Sequence, residues 1–296
     1  MARVSVIMPV YNGGTYIREA LQSALNQTYA DFELLVVDDG STDDTRAQAQ
    51  LSGDPRVRVL TQVNQGSYVA RNTGIANTSG ELIAFLDSDD VWEPDKLEKQ
   101  VAYVDTHPEV GLLHTSVSLI DAQGRPAANP IYAHAKPDVW LEMLTYNEYY
   151  LIRSGSTPLI RRSCFEKVGV FDDRPLAEDW ATYTRVARHF GVAAIPEPLV
   201  RYRQHGGNIT KNYRIMEENF DQLIQDMFEG LPEEVQPLKR KTYGRTYLSV
   251  AWRAFYAGNV AEARRLYGLA LARFPRLRLT KTGAHLGARL FLAVIA

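Results

Sequence analysis

The sequence has few cysteines, no long apolar run and no excess charge of either sign. Its 296 residues include one cysteine, Cys164, which excludes an intrachain disulfide and a cysteine-based zinc site and fits a reducing compartment. No apolar run reaches the roughly 20 residues that a membrane-spanning helix needs. The net charge is −2, so the basic footprint of a nucleic-acid-binding protein is absent. We therefore expect a cytoplasmic protein that has no nucleic-acid partner.

The first hundred residues alternate between short apolar runs, typical of buried strands, and segments with apolar residues at helical spacing. Strands are predicted over residues 4–10, 32–37, 57–60 and 81–86, and helices over residues 15–27, 43–51 and 67–76. This alternation predicts an α/β fold with βαβ units and a mostly parallel sheet flanked by helices. In such sheets, ligands bind outside the carboxyl ends of the strands.

The rest of the chain is less regular and then becomes helical. We predict strands over 110–120 and 192–195, a hairpin turn over 121–124, a loop over 125–150, and a helix–turn–helix over 247–275. Glycine and proline become rare after about residue 212, which favours a boundary there. The predicted domains are 1–212, with halves 1–100 and 101–212, and a helical C-terminal region over 213–296.

Three aspartates follow the fourth predicted strand directly. Asp87, Asp89 and Asp90 stand together on a strand-end loop, where carboxylates repel one another unless a cation lies among them. Oxygen ligands favour a hard cation such as Mg²⁺ or Mn²⁺, held by one or two carboxylates and completed by substrate phosphates. The alternative is a helix N-cap at Asp90, but a cap accounts for one or two aspartates and not for three. The pattern therefore favours a metal site.

Two other strand ends have two interpretations each. Asp39 follows the second predicted strand, where it could cap the next helix or accept a hydrogen bond from a nucleotide. Tyr11 follows the first predicted strand, where its ring could stack on a base or pack in the core. These segments alone leave both alternatives open.

Five segments of the first hundred residues resemble one known family. They are residues 4–13 (VSVIMPVYNG), 35–43 (LVVDDGSTD), 64–66 (NQG), 70–74 (ARNTG) and 85–90 (FLDSDD). In this order and spacing they resemble a family 2 glycosyltransferase of the inverting, bacterial cell-surface polysaccharide type. The resemblance is dense over residues 3–100 and sparse as far as residue 205. It implies the GT-A fold of nucleotide-diphospho-sugar transferases.

The resemblance implies positions for the nucleotide of the sugar donor. Pro9 and Tyr11 would flank the base, and Asp39 would accept a hydrogen bond from the ring N–H of the base. Arg71 would lie beside the base or the pyrophosphate. Uridine is the base that the family uses most often, so we expect a UDP-sugar.

The resemblance also implies the Asp-x-Asp motif of the donor site. Asp87 would point towards the ribose and Asp89 would bind Mn²⁺ or Mg²⁺, with Asp87 as a further metal ligand. Residues 202–208 form a loop in which Arg203 could bind the diphosphate and His205 could complete the metal site. The alternative for His205 is a loop histidine that is hydrogen-bonded to the backbone.

Members of this family transfer the sugar by a single displacement with inversion, in which an acceptor hydroxyl attacks the sugar C1. One general base must take the hydroxyl proton. The matching acidic motif implies Asp179 as the base and Glu178 as the second choice. From the residues alone, both are equally typical of the first turn of a helix.

The resulting functional hypothesis is a metal-dependent inverting enzyme that transfers a single sugar to an acceptor hydroxyl in bacterial surface polysaccharide synthesis. The sequence has neither the Gln-x-x-Arg-Trp motif nor the transmembrane helices of processive synthases, which favours transfer of one sugar. The expected acceptor is a glycan or a lipid-linked glycan. The alternative is a non-catalytic protein that binds a nucleotide sugar, or a partner, on the same fold.

The last 24 residues combine basic and apolar side chains. Five cations lie in residues 273–296, interleaved with leucines, Phe291, Val294 and Ile295. As a helix, this segment could lie at an anionic membrane interface, which would make the protein peripheral at the inner face of the cell membrane. The alternative is a helix that packs its apolar face on the preceding helical hairpin.

Overall fold

The computed structural model describes residues 2–136, 138–172, 178–206 and 213–293, which divide into two units. The first unit comprises Met1–Trp140, Tyr149–Asp173 and Glu178–Gly206, and the second comprises Leu141–Glu148, Arg174–Ala177 and Gly207–Ala296. Residues 141–148, which the sequence places in the first domain, are therefore grouped with the helices of the second unit.

The first unit contains the strands and the first helices. The strands are β1 (Val4–Val10), β2 (Phe32–Asp38), β3 (Val57–Thr61), β4 (Leu82–Phe85), β5 (Val91–Trp92), β6 (Val110–Ile120), β7 (Pro126–Ile131), β8 (Leu159–Arg161) and β9 (Gly191–Arg203). The helices are α1 (Ile17–Leu25), α2 (Thr45–Gln50), α3 (Ser67–Ala76), α4 (Lys96–Thr106), α6 (Arg162–Val168) and α7 (Glu178–His189). A further helix, α5 (Trp140–Leu144), spans the division between the units.

The strands form one sheet in the order β3-β2-β1-β4-β8-β6-β9-β5, and β7 pairs with the later residues of β6, from Val117 to Ile120, beyond those that pair with β8. The βαβ prediction is confirmed for β1 to β4, which pair in parallel. In the second half, β6 and β9 also pair in parallel, whereas β5, β7 and β8 join the sheet in antiparallel fashion. Every residue of β1 and β4 is buried, as central parallel strands covered on both faces require.

Two predicted segments differ from the structure. The loop predicted over 125–150 contains β7 and α5. The hairpin turn predicted over 121–124 is confirmed, and it returns the chain along β6 as β7. The strand predicted over 192–195 extends from Gly191 to Arg203. Pro196 and Pro198 interrupt its apolar pattern, and the pairing of β9 with β6 shifts register at that point and then continues.

The second unit is helical, with α8 (Tyr213–Phe228), α9 (Lys239–Tyr256), α10 (Val260–Arg273) and α11 (Lys281–Leu292). The predicted helix–turn–helix corresponds to α9 and α10, and α9 begins earlier than expected. Helix α11 buries Leu286 and Leu290, and its backbone accepts hydrogen bonds from Tyr267 Oη (2.9 Å, to Gly283) and Arg264 (3.0 Å, to Leu290) on α10. The packed alternative for this segment is therefore confirmed.

Some apolar side chains near the end of the chain remain uncovered. Leu279, Phe291 and Leu292 are each more than half exposed, and Val294 and Ile295 lie outside the described residues. Within the described ranges, each helix is too short or too polar to cross a bilayer. The membrane contact of the tail stays a prediction.

His114 on β6 gives the first unit a specific sensitivity to acid. The side chain is 2% exposed, and burial lowers the pKa of its imidazole from 6.5 to about 4. An unfolded chain therefore binds a proton at His114 between these two pH values and the folded chain does not, so acid favours unfolding. We expect the free energy of unfolding to fall by about 2 kcal/mol between about pH 7 and pH 5 through this group alone.

Chemical denaturation of the wild type and of His114→Gln at both pH values measures this contribution. The variant should lose about 2 kcal/mol less than the wild type on acidification. His189→Gln, which changes an exposed histidine, is the control and should behave as the wild type does. An equal loss in all three proteins would assign the acid sensitivity to other groups.

Candidate active site

The loops that follow β1 and β2 are joined to each other at the carboxyl edge of the sheet. Thr42 N donates to Asn12 Oδ1 (2.9 Å), and Gly13 N donates to Thr45 Oγ1 (2.8 Å). Asn12 adopts a φ of 51°, a left-handed conformation that asparagine tolerates better than most residues. Next to this pair of loops, Tyr11 is 53% exposed, so the core interpretation of its ring is wrong. Pro9 lies buried within β1.

Asp39 is buried at the end of β2, where it fixes the segment before α3. Its carboxylate accepts hydrogen bonds from Gln62 Nε2 (2.8 Å), Gln65 N (3.0 Å) and Gly66 N (2.8 Å). The N-cap position of α2 is Asp44, so the cap interpretation of Asp39 is wrong. A carboxylate offers about four lone-pair sites, which leaves acceptor capacity for one further donor such as a base N–H.

Arg71 on α3 connects two of the predicted site residues. Its guanidinium donates one hydrogen bond to Asp87 Oδ1 (2.9 Å) and another to Asp179 Oδ1 (3.0 Å). The Arg71 side chain is 6% exposed, so both ion pairs are shielded from solvent on the arginine side. Asp87 of the donor motif and the candidate base Asp179 are far apart in the sequence, but both contact the same guanidinium group.

The three aspartates after β4 lie in different environments. Asp90 is fully buried, and its carboxylate accepts from Ser154 Oγ (2.9 Å), Ser156 Oγ (2.7 Å) and Arg203 N (3.0 Å). Burial, with Asp89 and Asp87 adding to it, raises the pKa of Asp90 well above the usual carboxyl range. Asp90 does not cap α4, whose N-cap position is Asp95. Its bonds indicate that Asp90 holds the loop in place.

Asp89 lies opposite His205, which belongs to the loop after β9. The distance between Asp89 Oδ2 and His205 Nε2 is 2.8 Å, so the backbone-bonded alternative does not describe this nitrogen. Burial and the neighbouring Asp87 raise the pKa of Asp89, and the hydrogen bond with His205 works in the opposite direction. Asp89 is therefore a carboxylate that is costly to keep charged without a cation, which is the situation in which a metal ion binds.

Arg203 lies beneath this loop and is 1% exposed. Its Nε donates to the backbone oxygen of Asp89 (2.8 Å), and its terminal nitrogen donates to Glu19 Oε2 (2.7 Å). These bonds fix the backbone of the Asp-x-Asp motif, so a direct contact between Arg203 and a diphosphate would require them to be exchanged. Gly207 and Asn208 of the same loop lie outside the described residues.

Asp179 is the second residue of α7, which agrees with the helix-start alternative, but its carboxylate also accepts a hydrogen bond from Arg71 on α3. Burial raises the pKa of its carboxyl, Arg71 offsets part of that rise, and Asp87 adds to it. Because 37% of the side chain is exposed, solvent moderates the shift and an acceptor hydroxyl could reach it. Glu178 begins the same helix, and its side chain lies outside the described part of the structure.

The donor set around Asp89 fits a divalent metal ion. No three carboxylate, histidine or cysteine side chains within the described ranges come together as a complete metal cluster. A metal bound with a nucleotide diphosphate needs only one or two protein ligands, since phosphate oxygens supply others. Asp89 and His205, already within hydrogen-bond distance, are a carboxylate and an imidazole, a pair that suits Mn²⁺.

The serines of the segment before β8 are site residues that the sequence analysis missed. Ser156 Oγ accepts a hydrogen bond from Asp87 N (3.0 Å) and donates to Asp90, while a side chain at Gly155 would lie 2.7 Å from the Arg71 guanidinium. Only a residue without a side chain allows this close approach. The run Ser-Gly-Ser at 154–156 was the one available signal, and it is too common to indicate a site alone.

Comparison with known proteins identifies the family. The sequence pattern described as glycosyl transferase family 2 matches residues 5–169, which is more than half of the chain. The chain belongs to glycosyltransferase family 2. An uncharacterized glycosyltransferase of Rickettsia prowazekii (strain Madrid E) is 32% identical over 238 residues, which are 78% of this chain and 73% of the relative.

A second relative of this family 2 glycosyltransferase is similar over a shorter stretch. The Escherichia coli protein WfgD, named a UDP-Glc:alpha-D-GlcNAc-diphosphoundecaprenol beta-1,3-glucosyltransferase, is 48% identical over 100 residues. That stretch is 33% of this chain and 40% of WfgD. Family membership makes the chain a glycosyltransferase, an enzyme of nucleotide-sugar chemistry.

Solved structures share the fold of this glycosyltransferase. Residues 1–349 of Staphylococcus aureus TarS in complex with UDP-GlcNAc superpose with a TM-score of 0.61 and 20% identity, over 89% of this chain and 90% of that one. The Pyrobaculum calidifontis mannosyltransferase PcManGT in complex with GDP-Man and Mn²⁺ gives a TM-score of 0.62 and 22% identity, over 99% and 86%. The predicted GT-A fold is confirmed.

Proposed function

We propose that this glycosyltransferase transfers one sugar from a UDP-sugar to an acceptor hydroxyl, with inversion at the sugar C1 and with a divalent metal ion. The observation that carries the proposal is the Arg71 guanidinium, which holds Asp87 of the donor motif and Asp179 at 2.9 and 3.0 Å. Asp87, a carboxylate of the donor site, and Asp179, a carboxylate able to take a proton, thus contact the same guanidinium group. Inverting transfer by a single displacement needs these two groups near each other.

Asp89, His205 and Asp87 are the proposed metal ligands, together with oxygens of the donor diphosphate. When bound, Mn²⁺ or Mg²⁺ would neutralise the negative charge that develops on the leaving diphosphate. Arg203 fixes the position of Asp89 through the backbone bond at 2.8 Å, and Asp90 holds the same loop through Ser154 and Ser156. The exposed ring of Tyr11 and the remaining acceptor capacity of Asp39 would bind the base.

Asp179 is the proposed general base. Its carboxyl takes the proton of the acceptor hydroxyl, for which it must be ionised and reachable. Arg71 favours the ionised form by charge, and burial opposes it, so the carboxylate is more basic than an exposed aspartate. Arg71 also orients the carboxylate through Oδ1, which leaves Oδ2 for the hydroxyl.

The relatives support the finer assignments of donor and acceptor. TarS was crystallised with UDP-GlcNAc and with UDP, and the name of WfgD gives a UDP-sugar as its donor. The acceptor in the name of WfgD is a lipid-linked diphospho-sugar, which supports a glycan or lipid-linked glycan as the acceptor here. Exposed Leu279, Phe291 and Leu292 would suit contact with the membrane that carries such a lipid.

Hydrolysis of a panel of nucleotide sugars with Mn²⁺ present tests the proposal. We expect one UDP-sugar to be hydrolysed faster than its GDP and dTDP counterparts, and chelation of the metal to stop the reaction. Proton NMR of the first product should show the anomer opposite to that of the donor. A protein that binds a nucleotide sugar yet turns over none of them, with any acceptor offered, would instead be the non-catalytic binder.

A further inference from the structure

The end of the chain has a charge composition unlike the rest. Residues 236–296 contain twelve lysines and arginines and a single acidic residue, Glu262, although the whole chain has a net charge of −2. Ten of the twelve cations lie on α9, α10 and α11 of the second unit. Acidic residues of α8 compensate part of this charge, as in the ion pair of Arg265 with Glu217, and the remaining excess favours contact with an anion.

Part of this charge lines a cavity of about 710 Å³ in the second unit. Lys239 and Arg240 border it from the start of α9, and Arg273 from the end of α10. Tyr243, Gln225 and Gln236 are also in its wall. Of the described residues that line the cavity, none is acidic. The cavity is therefore a cationic site with room for more than one phosphate group.

Lys239 and Arg240 stand early in α9 without an acidic partner. A short 3-10 turn, Gln236–Leu238, leads directly into α9, and Glu233 and Glu234 precede that turn, so acidic residues and not these two cations lie at the amino end of the helical segment. Neither Lys239 nor Arg240 makes an ion pair with another described side chain. Both charges are therefore available to an anion in the cavity.

Arg273 has an ordinary explanation that the other two cations lack. It lies in the last turn of α10, where a cation complements the helix dipole, and its guanidinium carbon is 4.9 Å from the centre of the Tyr243 ring. The ring is buried and its hydroxyl donates to Asp221 O (3.2 Å), so Tyr243 is a fixed support for Arg273. One pre-oriented guanidinium thus lines the same cavity as two other cations.

We propose that this cavity binds a phosphate or diphosphate group, held by Lys239, Arg240 and Arg273. Guanidinium and ammonium groups bind phosphate oxygens by charge-assisted hydrogen bonds, and a bound anion would also reduce the repulsion among the three cations. The ligand is either a soluble phosphate compound or the phosphate of a membrane lipid. The proposal goes beyond the transfer reaction and does not depend on the donor or the acceptor of that reaction.

Calorimetric titration of the full chain with inorganic pyrophosphate, at low ionic strength and without divalent metal, tests the soluble source. We expect saturable binding that is weakened at least about tenfold in Lys239→Gln/Arg240→Gln. The variant Lys167→Gln/Arg188→Gln loses the same charge from exposed positions outside the cavity lining and outside the C-terminal tail, and should bind as the wild type does. Without ligand, the first variant should melt as the wild type does, because Lys239 and Arg240 make no ion pair with another described side chain.

Co-sedimentation with phosphatidylglycerol and with phosphatidylcholine vesicles tests the lipid source. Binding to the anionic vesicles that is lost in Lys239→Gln/Arg240→Gln and kept in the control variant would identify a lipid headgroup. Binding of pyrophosphate alone with the same dependence would identify a soluble ligand. The proposal is overturned if the wild type binds neither probe, or if the two variants reduce binding equally.

Discussion

Asp179→Asn is expected to lower turnover by at least about two orders of magnitude while leaving the affinity for the donor unchanged. Asparagine keeps the size of the side chain and an oxygen that can accept from Arg71, so the ion pair at 3.0 Å becomes a neutral hydrogen bond. The amide has no basicity with which to take a proton. Steady-state kinetics, with donor affinity measured separately by calorimetry, gives both quantities.

Two further measurements make the test of Asp179 specific. Glu178→Gln is the neighbouring control and should keep most of the activity. In the wild type, the rate should rise with pH through the pKa of Asp179, which burial raises above the usual aspartate range, because only the ionised form is a base. If donor binding were lost together with turnover in Asp179→Asn, Asp179 would be a donor contact and Glu178 would be the base.

Asp89→Ala is expected to abolish both transfer and the metal-dependent part of donor binding. The variant removes the carboxylate that lies 2.8 Å from His205, and with it the main oxygen ligand that we propose for the metal. Stability should be kept, because burial and Asp87 already disfavour the charge of Asp89. Donor titrations with and without Mn²⁺, together with a thermal melt, measure all three properties.

The adjacent aspartate is a matched control for this experiment. Asp90→Ala removes a carboxylate from the same loop, but one that accepts from Ser154, Ser156 and the backbone of Arg203. This variant should lose about 2–3 kcal/mol of stability, since three buried donors lose their partner. Near-normal activity of Asp89→Ala, or equal melting of the two variants, would contradict the roles assigned to them.

The edge of the sheet that carries the site was predictable from the sequence. Apolar runs that end at Tyr11, Asp39 and Asp87 predict parallel strands, and the ends of such strands meet at one edge by geometry alone. The different roles of Asp89 and Asp90 were not predictable. They depend on hydrogen bonds to Ser154 and Ser156, which are 64 and 66 positions from Asp90, and no local pattern reports a contact of that range.

The two strands that were predicted incorrectly, β7 and β9, were missed for a similar physical reason. Strand β7 has an exposed sequence, with two prolines, and it is a strand only because a hairpin places it beside β6. In β9, Pro196 and Pro198 remove the apolar alternation that identifies a strand, yet pairing with β6 continues past them. Pairing with β6 determines both strands, so the sequence of β7 alone predicts a loop and the sequence of β9 alone predicts a strand only before the prolines.

Because one guanidinium serves both Asp87 and Asp179, the two halves of the reaction are not independent targets for redesign. A substitution that changes the contact of Asp87 with a new sugar nucleotide also changes its ion pair with Arg71. The strength of the ion pair between Arg71 and Asp179 then changes as well. Directed evolution towards a different donor would therefore select compensating changes near the acceptor hydroxyl. Combined variants of Asp87 and Asp179 should deviate from additivity, whereas changes at Tyr11 should combine freely with those at Asp179.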